Sequence, residues 1–251
     1  MPGRLPRRTI AAPHPFLTLQ PPGDRLDTQD LLQELIAHTD LRYIAVEGVI
    51  GAGKTTLATM LGETLGAQVV GEQFEENPFL KDFYRDPERY AFQTQIFFLL
   101  TRYKQQRSLS QADLFHRFLV TDYIFEKDKI FAYLNLQDEE LKLYETLVGS
   151  IEHNIIQPDL VVYLQSSVPR LMHNIRHRAR PIEGPIAEEY IRDLNEAYNY
   201  FFFRYKATPL LIVNAAELDF VNNQEHYRDL LTQIFRQNRA AVEYYNPIVK
   251  K

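Results

Sequence analysis

The chain has 251 residues, is 45% hydrophobic and 24% charged, and carries a formal net charge of −5, the profile of a globular protein rather than one that grips a nucleic-acid backbone. It contains no cysteine, which excludes disulfides and thiolate metal sites and suits a reducing, cytoplasmic setting. No apolar run approaches the roughly 20 residues of a bilayer span, so neither a membrane nor a nucleic acid is expected as a partner.

Residues 1–26, MPGRLPRRTIAAPHPFLTLQPPGDRL, hold six of the fourteen prolines and four arginines, with no acid before Asp24. The prolines spoil the amphipathic helix of a targeting peptide, and no secretory apolar core follows, so a flexible extension is expected. Residues 27–251 read as one domain. Five short apolar runs are expected to be strands: Tyr43–Glu47, Gln68–Gly71, Phe118–Thr121, Leu160–Leu164 and Leu210–Val213. They are rich in Val, Leu and Ile and do not alternate, as parallel strands covered on both faces require. Between them, Pro87–Leu109, Asp138–His153 and Glu188–Tyr205 repeat apolar residues at helical spacing. Strand alternating with helix predicts an α/β fold with a five-stranded parallel sheet and helices on both faces. Ligands of such sheets bind beyond the carboxyl ends of the strands.

Directly after the first strand comes GVIGAGKTT, which satisfies the spacing G-x-x-x-x-G-K-[ST]. Glycines turn backbone N–H groups inward around an anion, a lysine adds charge at the outer phosphates, and a threonine hydroxyl ligates Mg²⁺. Gly48, Val49, Ile50, Gly51, Ala52, Gly53, Lys54, Thr55 and Thr56 are therefore the expected ATP cradle, with Thr55 a metal ligand. A GTPase would need N-K-x-D, which is absent, and a motor ATPase would usually end its third strand in an Asp-Glu pair, where FLVTDY has one acid. A small-molecule kinase remains. Glu72 directly follows the second strand, placed to accept a hydroxyl proton as a bond to phosphorus forms; Glu75 and Glu76 read as solvated loop acids. Gln95 and Arg102 lie seven residues apart on one helix and so share a face. A Gln amide offers donor and acceptor together, as a base edge demands. Arg102 reads that edge or anchors an acid nearby, and Gln93 points elsewhere. Phe74 and the aromatics of this helix are either core or stacking groups. Arg176, Arg178 and Arg180 alternate before Pro181, and guanidinium groups neutralise the charge of a transferring phosphoryl.

Four stretches, EGVIGAGKTTLA, GEQFEENPF, FYRDPERYAFQTQIFFLLTRYKQ and RHRARPIEGPIAEEYI, make the chain resemble the deoxyribonucleoside kinases from about Tyr43 to Phe220. EQFEENPF and DYIFEKDKIFA point to the bacterial deoxyadenosine and deoxyguanosine kinases. The resemblance implies a P-loop kinase fold with an arginine-bearing lid at about 174–186, and transfer of the ATP γ-phosphate to a deoxyribonucleoside 5′-hydroxyl with Mg²⁺. It implies Glu72 as general base, Tyr84 and Glu183 holding the sugar 3′-hydroxyl, and Gln95 and Arg102 at the base. It also implies Asp122 beside the metal, Arg178 and Arg180 on the phosphates, and Arg176, Asp219 and Phe220 with ATP. Relatives dimerise, and a homodimer is expected through faces such as Pro87–Leu109 and Asp138–His153.

Three positions depart from the pattern. Asn174 stands where the family has a further lid arginine. Tyr123 follows Asp122 where many relatives carry an arginine that braces the base, so one positive charge is missing beside Glu72. Lys127 stands where pyrimidine-preferring relatives often have an acid facing the base-reading arginine, which favours a purine. The competing readings are a thymidylate-type kinase of nucleoside monophosphates, and a silent relative serving as a structural subunit.

Overall fold

The computed structural model describes residues 32–37, 39–109 and 116–247, so the expectation of a flexible extension over residues 1–26 falls outside the described residues. Strand β1, Tyr43–Gly48, is buried along its whole length, and each fully buried Ile or Val in it contributes about 1.5–3 kcal/mol. Around it the sheet runs β2-β3-β1-β4-β5-β6, every neighbouring pair parallel. The other strands are β2 (Gln68–Val70), β3 (Leu119–Thr121), β4 (Leu160–Gln165), β5 (Leu210–Asn214) and β6 (Val242–Tyr245).

Among the described residues six strands, not the expected five, make the sheet. The sixth, VEYY, lies at the edge beside β5, with Val242 and Tyr244 39% and 65% exposed. A search for continuous apolar runs finds strands covered on both faces; an edge strand alternates and carries polar residues, so it escapes.

The helices are α1 (Lys54–Leu65), α2 (Leu80–Phe83), α3 (Pro87–Leu109), α4 (Lys127–Asn135), α5 (Asp138–Ile151), α6 (Val168–Arg178), α7 (Glu188–Arg204) and α8 (Gln224–Ile234). Helix α1 starts at the lysine of the phosphate loop and approaches β2 closely: a Cβ at Gly62 would lie 2.1 Å from Val69. One hydrophobic core spans the sheet, α1, α6, α7 and α8; a second joins α2 through α5. The chain leaves β1 for β2 and β3 on one side, then returns to β4 on the other. That reversal opens a crevice beyond the strand ends, where the phosphate loop, Glu72 and Asp122 emerge from β1, β2 and β3 respectively.

Candidate active site

The loop after β1 carries positive φ at Gly51 (87°) and Gly53 (97°), the left-handed region that glycine enters without strain. Gly51 has a second reason to lack a side chain, since a Cβ there would sit 2.7 Å from the Leu171 carbonyl oxygen of α6. From the same helix the Asn174 amide donates to the Gly51 carbonyl at 2.8 Å. Asn174 therefore ties the base of the lid to the phosphate loop, at the position where an arginine was expected. Beneath the loop lies Glu47, a fully buried carboxylate that sequence reasoning passed over as a strand residue. It accepts from the Gly48 N–H at 2.9 Å and the Ile124 N–H at 3.0 Å, joining the loops after β1 and β3. The available signal was a lone charge closing an apolar strand.

Lys54 donates to the Val49 carbonyl at 3.3 Å. Burial, and then the nearby charge of Lys127, push its ammonium down to about 8 against the opposing pull of Glu47. An ammonium held in this way gains from an anion placed beside it. Thr55 donates its hydroxyl to Asp122 Oδ2 at 2.6 Å, and Asp122 Oδ1 accepts the Glu72 N–H at 2.7 Å. Asp122 thus connects the phosphate loop to the backbone of the expected base. Two hard oxygen donors, a threonine hydroxyl and a carboxylate, fit Mg²⁺, which keeps its waters and takes further oxygens from phosphates. Among the described residues no cluster of three or more His, Cys, Asp or Glu forms a metal cage of its own.

Glu72 occupies the centre. Its side chain is 14% exposed. Oε1 accepts from Arg102 Nε at 3.0 Å and Nη2 at 2.5 Å, and Oε2 accepts from Lys127 Nζ at 2.7 Å. Burial alone would raise its pKa, but Lys127 and Arg102 outweigh that and hold the carboxyl well below the usual carboxylate range. Glu75 and Glu76 are exposed on the following turn, as expected of solvated acids.

Arg102 anchors two acids at once. Its Nη1 donates to Asp128 Oδ1, and its guanidinium lies 4.9 Å from the centre of the Phe98 ring. Asp128 also accepts from the Tyr144 hydroxyl at 2.8 Å, while its carbonyl takes the Gln95 amide at 2.8 Å. This corrects the expectation that Lys127 leaves Arg102 without a facing acid. The acid facing the arginine is present one residue later, at Asp128, so the purine argument drawn from Lys127 loses its ground. Lys127 instead turns to Glu72. Both side chains are buried, and the roughly hundred degrees between neighbours on a helix sends Lys127 to Glu72 and Asp128 to Arg102. Tyr123 is fully buried, and its hydroxyl has no hydrogen-bond partner among the described residues.

Tyr84 and Glu183 line the same cleft. Glu183, on a 3-10 turn at Pro181–Glu183, is 7% exposed by side chain and bound by Arg178 through Nε at 2.7 Å and Nη2 at 2.5 Å. Arg178 ends α6, Ala179 reverses the chain at φ 48°, and Arg180 follows. Arg180 lies 4.8 Å from the Phe74 ring and 3.7 Å from Glu183. Arg176 is exposed and does not line the cleft. Phe220 is buried against Gly53, and Asp219 accepts from the Asn222 N–H at 3.0 Å. Gln93 is exposed on the far side of α3.

The cleft encloses about 850 Å³ including its open mouth, within the range of small-molecule sites. Lys54, Thr55, Glu72, Tyr84, Gln95, Asp122 and Glu183 all line it, and Asp122 bridges the Thr55 hydroxyl to the Glu72 backbone. Such an arrangement can hold an anion chain and a polar organic acceptor head to tail, with a carboxylate at the junction.

Comparisons with known proteins give the same answer. Residues 44–238 match the family model described as deoxynucleoside kinase. The deoxyguanosine kinase of Bacillus subtilis is 34% identical over 197 residues, covering 76% of this chain and 95% of the relative. The deoxyadenosine kinase of Dictyostelium discoideum is 34% identical over 215 residues, 82% of each. Among solved structures, a deoxyadenosine kinase from M. mycoides with bound dATP superposes with a TM-score of 0.68 at 27% identity, covering 76% of this chain and 98% of that one.

Proposed function

The chain belongs to the deoxynucleoside kinase family, and from that premise we propose that it transfers the γ-phosphate of ATP to the 5′-hydroxyl of a purine deoxyribonucleoside. The observation that carries the reading is Glu72, a carboxylate held by Lys127 and Arg102 in the same cleft that Lys54 and Thr55 of the phosphate loop, Tyr84 and Glu183 line. The names of the relatives, deoxyguanosine kinase and deoxyadenosine kinase, support a purine.

In this proposal the loop Gly48–Thr56 wraps the triphosphate, with Lys54 at its outer phosphates and Phe220 and Asp219 near the adenine end. Mg²⁺, held by Thr55 and by Asp122 directly or through water, neutralises phosphate charge when bound. Tyr84 and Glu183 hold the sugar 3′-hydroxyl, while Gln95, tethered to the Asp128 carbonyl, presents its remaining polar edge to the base. Glu72 accepts the 5′-hydroxyl proton. Two cations make it a weak base, which phosphoryl transfer tolerates because catalysis there rests mostly on positioning and electrostatics. Arg178 and Arg180 stabilise the charge on the transferring group, with Arg176 joining them when the lid 174–186 closes and excludes water.

A dianionic nucleotide acceptor fits less well. Arg102 and Lys127 stand beside Glu72, but Glu72 and Asp128 already match their two charges. The proposal extends to a cytoplasmic homodimer. Leu100 on α3 and Leu143 and Leu147 on α5 are exposed at 54%, 51% and 36%. Among the described residues, no helix is long and apolar enough to cross a membrane.

The test is turnover of the four deoxynucleosides, and of dTMP, with ATP and Mg²⁺. Phosphorylation is expected to be fastest with deoxyguanosine or deoxyadenosine and to stop when a chelator removes the metal. Turnover of dTMP alone would replace the reading with a nucleotide kinase. Inactivity on every acceptor would leave a structural subunit.

A further inference from the structure

The position after Asp122, where relatives were expected to place a bracing arginine, holds Tyr123, which is fully buried, does not line the cleft and makes no side-chain hydrogen bond among the described residues. The lid arginines do not fill the gap either: Arg178 embraces both oxygens of Glu183, and Arg180 lies against Phe74. Lys127 does. It is the first residue of α4, only 3% exposed, and sends its ammonium to Glu72 Oε2 at 2.7 Å while lying 5.8 Å from the Phe131 ring centre. A lysine this deeply buried is costly unless paired, and the group it pairs with is the proposed base.

We infer that Lys127 is a positioning residue for the reaction, the cation that fixes the plane of the Glu72 carboxylate and directs Oε2 toward the acceptor hydroxyl. The inference rests on the kinase reading above. Its logic lies in the division of donors. Arg102, from α3, gives two N–H groups to Oε1; Lys127, from α4, gives one to Oε2. One cation alone leaves a carboxylate free to turn about its own bond. Two cations from different helices, with the Glu72 N–H anchored on Asp122 at 2.7 Å, remove that freedom. Oε2 accepts one donor and keeps a lone pair for a substrate proton. Without Lys127, both carboxylate oxygens are free to swing onto the guanidinium fork, a pairing favoured by its planar geometry, and the base is drawn away from the acceptor. A misplacement of about 1 Å at such a site costs up to about a hundredfold in rate.

The test compares wild type, Lys127→Met, Lys127→Arg and Glu72→Gln with the double variant Glu72→Gln/Lys127→Met, using steady-state kinetics on the best deoxynucleoside. Lys127→Met is expected to lower kcat about thirty- to a hundredfold with the nucleoside KM within about threefold, and Lys127→Arg to recover at least a third of the loss on a logarithmic scale. In the Glu72→Gln background the Met substitution is expected to cost less than about threefold, because the group it positions is already gone. Full additivity in the double variant, or a Lys127→Met enzyme with wild-type kcat, overturns the inference. Should Lys127→Met not fold by circular dichroism, Lys127→Gln is read in its place, and failure of both to fold makes Lys127 a purely structural residue and also overturns it. An inactive wild type would instead indict the kinase reading.

Discussion

At the scale of single residues the site is a small set of charges whose meaning depends on what each one touches. Lys127 and Arg102 outweigh the cost of burying Glu72 and hold its carboxyl well below the usual carboxylate range, and its proposed role as base rests on its sharing one cleft with the phosphate loop. Glu72→Gln keeps the shape and removes the charge. It is expected to leave the nucleoside KM within a few-fold while cutting kcat about a hundredfold or more, checked by kinetics on protein whose folding is confirmed by thermal denaturation. Tyr123 gives the opposite case. Its buried hydroxyl has no partner among the described residues, and an unmade hydrogen bond in the interior costs about 1–3 kcal/mol. Tyr123→Phe is therefore expected to raise stability by about 1 kcal/mol with kcat unchanged, measured by urea unfolding. A loss of stability would mean that the hydroxyl is satisfied by water.

At the scale of elements, the strand ends present the chemistry and the helices orient it. The phosphate loop is gripped from both sides: Glu47 below it accepts from Gly48, and α6 above it presses Leu171 and Asn174 onto Gly51. This explains why Gly51 has no side chain. Gly51→Ala adds a Cβ 2.7 Å from a backbone oxygen at a residue with φ of 87°. The substitution is expected to cost about 1–3 kcal/mol of stability and to raise the ATP Kd about tenfold or more, read by calorimetric titration with ATP. An unaltered ATP affinity would show that α6 yields there easily. Helix α3 spans Pro87–Leu109 as its periodicity predicts, and it carries Gln95 and Arg102 inward with Gln93 outward. The seven-residue spacing was enough to place both on one face. It was not enough to say what Arg102 meets, because Asp128 arrives from α4 and Glu72 from the loop after β2.

For the whole molecule, the sheet order β2-β3-β1-β4-β5-β6 brings three strand ends into one crevice and leaves α3 and α5 on the outside. Leu143 and Leu147 lie one turn apart on α5 and are exposed, whereas the neighbouring Tyr144 and Val148 are buried. The double substitution Leu143→Asp/Leu147→Asp is expected to convert a dimer to a monomer in sedimentation velocity, with the fold retained. A wild type that sediments as a monomer would remove the dimer from the proposal.

Much of this was legible before any coordinates, and the limits follow from where information sits along the chain. The phosphate loop, the strand-end acids and the lid arginines are each written in contiguous residues; the sequence by itself therefore determined the class of fold and the family, and singled out the residues proposed as triphosphate cradle and base. Pairings between elements are different. Lys127 meets Glu72 across 55 positions and Arg102 meets it across 30, and only the tertiary structure decided that the first is a brace and the second a clamp on two acids. Glu47, Asp128, Asn174 and the sixth strand belong to the same category. Their partners are set by how helices lie across the ends of a twisted sheet, a packing choice that gives the adjacent, equally buried Lys127 and Asp128 different partners, Glu72 and Arg102.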